Sequence, residues 1–137
     1  PSINNELERL LSDTTEFNVV LDMSDKKEVE FFMDDRITGV RKTLSSGSGF
    51  EKTLASLALR CVLTKISCLP KPNIIVLDEV LGKVSNENLD RVGEFFDKVK
   101  EYFPIVMLIT HNDLVKDWSD KVLMITKKNN ISSVGGL

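Results

Sequence analysis

The sequence has no apolar run approaching the ~20 residues of a membrane-spanning helix. No signal peptide precedes its first helix either, so neither a span nor a secretory leader is read from it. Residues that staple or ligate are scarce, with two cysteines and one histidine in 137 residues. Cys61 and Cys68 are expected on nearly one face of a helix, two turns apart. That separation, about 10 Å between Cα atoms, is beyond the reach of a disulfide. Two buried, reduced thiols are therefore expected, as in a cytosolic protein. A single histidine leaves no cluster with metal-ligand spacing. Excess positive charge is lacking too: the formal net charge is −3 and the pI about 5.2. A domain coated in basic residues for nucleic acid is excluded. Any DNA contact is left to local patches, either Arg36, Arg41 and Lys42 or Lys127 and Lys128. Internal repeats, low-complexity tracts and heptad runs of useful length are also missing.

What remains is the composition of a globular domain, 42% hydrophobic and 28% charged, long enough for one core. Residues 1–137 are read as a single domain. The chain opens on Pro1 rather than Met, so a piece of a longer protein is expected. Residues 3–11 read as a short helix with Ile3, Leu7, Leu10 and Leu11 on one face. Residues 16–23 and 28–33 read as two strands joined by the turn Ser24-Asp25-Lys26-Lys27. Residues 37–44 add a third extended segment, and residues 45–49 a flexible loop of small residues. From Phe50 to Leu69 the chain is apolar nearly all round, a largely buried helix ended by Pro70 and Pro72. Leu89, Val92, Phe96, Val99 and Phe103 recur at helical spacing before Pro104. Residues 105–110 read as a buried strand, 113–118 as a helical turn, and 121–126 and 131–134 as two last strands. Strands alternating with helices in the second half predict parallel β-α-β units.

Chemistry concentrates in three places. Ile74 to Glu79 reads Ile-Ile-Val-Leu-Asp-Glu, an apolar run ending in two carboxylates. Such a run suits a strand buried on both faces, and the carboxyl end of such a strand is where ligands bind in open α/β sheets. Asp78 suits a hydrated Mg²⁺, and Glu79 suits a base acting on water. Ser48-Gly49-Phe50-Glu51-Lys52 opens the apolar helix, so free N–H groups and the helix dipole face any anion there. Thr110-His111 follows the next strand, and imidazole changes its proton state near neutral pH.

In that order these segments resemble the C-terminal lobe of an ATP-binding-cassette ATPase head of the structural-maintenance-of-chromosomes and DNA-break-repair type. The resemblance covers almost the whole chain. The family's signature, Leu-Ser-Gly-Gly-Glu-Lys, is matched at Ser48, Gly49, Glu51 and Lys52, with Gly47 in place of the leading Leu and Phe50 in place of the second Gly. After Glu79 the chain continues with Gly82 in a turn and Ser85 where the family usually has Asp. Ser85 keeps a helix-capping hydroxyl while losing a charge.

The resemblance implies an α/β fold: the C-terminal half-domain of an ABC-type P-loop NTPase, a mostly parallel sheet with flanking helices and an N-terminal antiparallel β region. It implies an ATP hydrolase using ATP and Mg²⁺. Asp78 would help hold the metal, Glu79 would orient or deprotonate the attacking water, and His111 would sense the γ-phosphate. Ser48, Gly49, Glu51, Lys52 and Ser85 would serve the nucleotide or the interface around it. Implied partners are an N-terminal lobe of the same protein, a second head, DNA and a nuclease subunit, in the cytoplasm, nucleoid or nucleus. Nothing in the chain fits Gly-x-x-x-x-Gly-Lys-Ser/Thr, the loop that cradles phosphates. The chain alone is thus expected to be inactive, with that loop supplied by the other lobe. Two rival readings stay open, a nucleotide-independent interaction module and a fragment of a transporter-type ATPase.

Overall fold

The computed structural model describes residues 2–136. Helix α1 spans Ser2–Leu11 and is followed by strands β1 (Phe17–Met23), β2 (Val29–Asp35) and β3 (Arg41–Thr43). These form one antiparallel sheet in the order β1-β2-β3. The segment read as extended from 37 to 44 contributes only its last residues to that sheet. Before them the chain turns, because the Asp35 carboxylate accepts from the N–H groups of Ile37 and Thr38 and Gly39 takes φ 70°, a conformation glycine adopts without penalty.

Helix α2 (Gly49–Ile66) buries Leu54, Ala55, Leu57, Ala58, Cys61 and Val62, whereas Leu63 and Ile66 lie exposed. It stops earlier than the sequence reading, since Ser67 turns extended as C-cap with Pro70 close behind. Cys68 therefore falls outside the helix and is exposed, contrary to the expected pair of buried thiols. Cys61 is buried, and loss of water around it pushes its thiol up to about 12, so it stays protonated at neutral pH.

Strands β4 (Ile74–Asp78) and β5 (Ile105–Ile109) pair in parallel through helix α3 (Leu89–Val99), the β-α-β unit that the alternation predicts. The helical spacing of Leu89, Val92, Phe96 and Val99 is an inward face, buried with Phe95 and Phe103. A last antiparallel hairpin joins β6 (Leu123–Lys128) to β7 (Ile131–Gly136). Among the described residues, parallel pairing is thus confined to β4 and β5. One core gathers α1, β1, Met33 of β2, α2, α3 and Leu77 of β4.

The expectation that β4 and β5 are buried on both faces is corrected. Leu77 is buried and Ile75, Val106 and Leu108 pack partly against the core. Ile74, Val76, Ile105, Met107 and Ile109 point the other way and are 42–54% exposed. The register sets Ile74 beside Ile105 and Val76 beside Met107, so these side chains form one apolar sheet face. Apolarity on both sides of a strand states what it is suited to contact, and here only one side has its contact.

Candidate functional site

The parallel pair delivers Asp78 and Glu79 to its carboxyl end beside the residues that follow β5. Asp78 is the last residue of β4 and faces outward. Among the described residues no group of three or more His, Cys, Asp or Glu side chains converges, so no all-protein metal cage exists there. A single outward carboxylate is the kind of ligand a hydrated Mg²⁺ uses when waters and phosphate oxygens supply the rest.

Glu79 leaves the strand with φ 50°, in the left-handed region. Its N–H donates to the Ile109 carbonyl at 2.9 Å, and its own carbonyl accepts from Gly82 N–H at 3.2 Å. Bonds on both sides hold a conformation that costs a non-glycine residue about 1–3 kcal/mol and is concentrated at functional sites. The bend aims the carboxylate at His111, whose Nε2 lies 3.3 Å from Glu79 Oε1. The imidazole is otherwise open, its side chain 97% exposed. Two groups 32 positions apart thus meet at one edge, a juxtaposition that only the parallel pairing produces.

A second cluster stands at the start of α2. Ser48 is the N-cap: its Oγ accepts from Glu51 N–H at 3.2 Å, and its own N–H donates to Glu51 Oε2 at 2.7 Å. This closed capping box satisfies two donors that a bare helix end leaves free. The Glu51 carboxylate is also gripped by Lys42 Nζ of β3, at 2.9 and 3.0 Å. Partial burial raises the Glu51 pKa, but the Ser48 N–H and the Lys42 ammonium outweigh it and hold the carboxyl below the usual glutamate range. Glu51 is therefore occupied in holding Ser48, while Lys52 is exposed. Phe50, at the position of the family's second glycine, packs partly against the core.

The two clusters adjoin through the loop after Glu79. A Cβ on Gly49 would lie 2.5 Å from the Lys83 carbonyl oxygen, so only glycine permits this approach. Thr53 Oγ1 lies 2.8 Å from the Gly49 carbonyl oxygen and 3.4 Å from that of Val80. Ser85 departs from its expected role as a helix cap. It precedes a 3₁₀ turn (Asn86–Asn88) without bonding a backbone N–H, and its Oγ is taken by Asn88 Nδ2 at 3.0 Å.

Sequence reasoning missed Lys42 as part of this site and assigned it to a basic patch. That patch is neutralised. Arg36 pairs with Glu8, Arg41 with Asp22 and Asp34, and Lys42 with Glu51. A Ser-x-x-Glu spacing such as that of Ser48 and Glu51 is the local signal that could have found the capping box; nothing local points to Lys42. Lys127 and Lys128 remain exposed near the β6–β7 turn.

No family model matches the chain. A DNA double-strand break repair Rad50 ATPase of Methanocaldococcus jannaschii is 28% identical over 92 residues, 67% of this chain and 9% of the relative. An uncharacterized protein of Acanthamoeba polyphaga mimivirus is 33% identical over 87 residues, 64% of this chain and 6% of the relative. A third relative, the Rad50 ATPase of Saccharolobus solfataricus, is 29% identical over 87 residues. The chain thus spans no more than a tenth of the length of these relatives. Among solved structures, a chain from work on ATP-driven dimerization and DNA-stimulated activation of SMC ATPases superposes with a TM-score of 0.78 at 17% identity, covering 99% of this chain and 83% of that one. The SMC head domain of Thermotoga maritima gives 0.70 at 24% identity, covering 99% and 46%. The chain has the α/β fold of the C-terminal region of an SMC-type ATPase head and is similar in sequence to Rad50 ATPases.

Proposed function

For a chain with the fold of that C-terminal region, we propose service as one lobe of an ATP-hydrolysing head, with residues 1–137 acting as a single unit. The observation that carries this reading is the meeting of Glu79 and His111 at the carboxyl end of β4 and β5, on a backbone bent to φ 50°. Asp78 would hold a hydrated Mg²⁺, which when bound neutralises charge on the nucleotide's phosphates. Glu79 accepts a proton from, or orients, a water directed at the terminal phosphate. His111, open to solvent on its far side, donates a hydrogen bond to that phosphate while touching Glu79. Ser48 and Gly49 serve a nucleotide held by a second copy of the head, with unpaired N–H groups and the α2 dipole as attractants. Glu51 acts through Ser48 rather than on the nucleotide, and Lys52 stands at the rim.

The lobe supplying the phosphate loop would pack on the apolar face of Ile74, Val76, Ile105, Met107 and Ile109. These five side chains form one contiguous apolar patch rather than scattered single exposures. DNA and a nuclease subunit are the proposed further partners, reached through the parent protein. Among the described residues no helix is long and apolar enough to cross a membrane.

The test is Glu79→Gln in the full-length protein. Nucleotide binding stays and steady-state turnover falls at least ~100-fold, the scale of a lost general base. Wild-type turnover by that variant would remove Glu79 from the chemistry.

A further inference from the structure

An ion pair near the proposed nucleotide contacts reaches across from the antiparallel sheet. Lys42 lies on β3, opposite Met33 of β2 in the antiparallel register. Its ammonium spans both oxygens of Glu51, and both side chains are largely shielded, 32% and 21% exposed. Met33 touches the same loop from the same sheet: its Cε lies 3.2 Å from where a Cβ on Gly47 would be, and Gly47 is buried. The β1-β2-β3 sheet therefore backs the loop at two points, one apolar and one charged.

The charged point controls a chain of bonds. Glu51 Oε2 accepts from Ser48 N–H at 2.7 Å and from Lys42 at 2.9 Å, while Oε1 takes Lys42 at 3.0 Å. A glutamate free of Lys42 has other rotamers and water available, and Ser48 N–H then loses its acceptor. Ser48 Oγ accepts from Glu51 N–H, which leaves its own hydroxyl hydrogen free to donate to an anionic oxygen placed there.

We propose that Lys42 is a positioning residue for nucleotide engagement by Ser48, acting through Glu51 and anchoring the loop to the antiparallel sheet. The inference rests on the proposed function and extends it to a residue that touches no nucleotide itself. The pair is a charge-assisted hydrogen bond, and Lys42 serves recognition rather than the bond-breaking step. Its loss appears in the nucleotide concentration needed, more than in the maximal rate.

The experiment measures ATP turnover and nucleotide-dependent head association in the full-length protein, against ATP concentration. The variants are Lys42→Met, Lys42→Arg and the exchange pair Lys42→Glu with Glu51→Lys. Thermal unfolding checks folding, and Lys42→Gln replaces Lys42→Met should the latter not fold. Lys42→Met raises the half-saturating ATP roughly tenfold, the scale of one such bond, with a much smaller change in maximal rate, and Lys42→Arg restores it. The exchange pair stays impaired, because a lysine at 51 rebuilds the ion pair but accepts nothing from Ser48 N–H. Recovery by the exchange pair would reduce Lys42 to an ordinary structural ion pair and overturn the inference. So would wild-type ATP dependence of the neutral variant alongside a dead Glu79→Gln. A Glu79→Gln protein with full turnover would instead sink the underlying functional reading, so the two failures are distinct.

Discussion

At the scale of single residues, Glu79 holds its conformation against its own preference. A left-handed backbone costs an L-residue about 1–2 kcal/mol, and here the Ile109 and Gly82 bonds impose it. Asparagine tolerates that region far better. Replacing Glu79 with Asn is expected to stabilise the chain by up to about 1 kcal/mol in urea unfolding, while removing the carboxylate proposed to act on water. The lost contact with His111 offsets little of this, since the His111 side chain is 97% exposed and that of Glu79 47%. A less stable variant would show that the bend carries no strain. The carboxylate was readable in the sequence as the end of an apolar run; the bend was not, because it is set by a carbonyl on another strand.

At the scale of elements, the junction of α2 with the loop after β4 is the tightest feature. Gly49 does not have positive φ; it is required by proximity, with the Lys83 carbonyl where its side chain would be. Gly49→Ala is expected to cost about 1–3 kcal/mol, the range for forcing extra volume into a packed contact. The loss would be read from denaturant midpoints, with hydrogen exchange rising first in residues 80–85. An unchanged midpoint would mean that the loop yields freely and that the two clusters are not mechanically joined. Helix positions, the first hairpin and the β-α-β unit were legible because hydrophobic period and turn residues are local signals. Element ends were less so: α2 stops at Ile66 rather than Leu69, and the third extended segment shrinks to Arg41–Thr43. The first is decided by the extended Ser67 ahead of Pro70, the second by the Asp35 carboxylate and the left-handed Gly39.

At the scale of the whole molecule, the open face of β4 and β5 is the main prediction. Under the proposed function, the chain alone is expected to show no ATP turnover, and mixing with the proposed phosphate-loop lobe to restore it. Val76→Asp or Met107→Lys on that face is expected to weaken the mixed complex roughly tenfold or more, because a charge would be buried without a partner. Brisk turnover by the purified chain, or indifference of the complex to both variants, would end this picture. The sequence by itself determined which segments are apolar, where carboxylates, hydroxyls and the histidine fall, and that a phosphate-cradling loop is not among its residues. Those are properties of covalent order and local pattern. Only the tertiary structure decided that Glu79 meets His111, that Lys42 holds Glu51, and that one side of an apolar strand pair is left uncovered. Each of these joins segments distant in the chain, and such joins depend on pairing register and packing, which no stretch of sequence encodes alone.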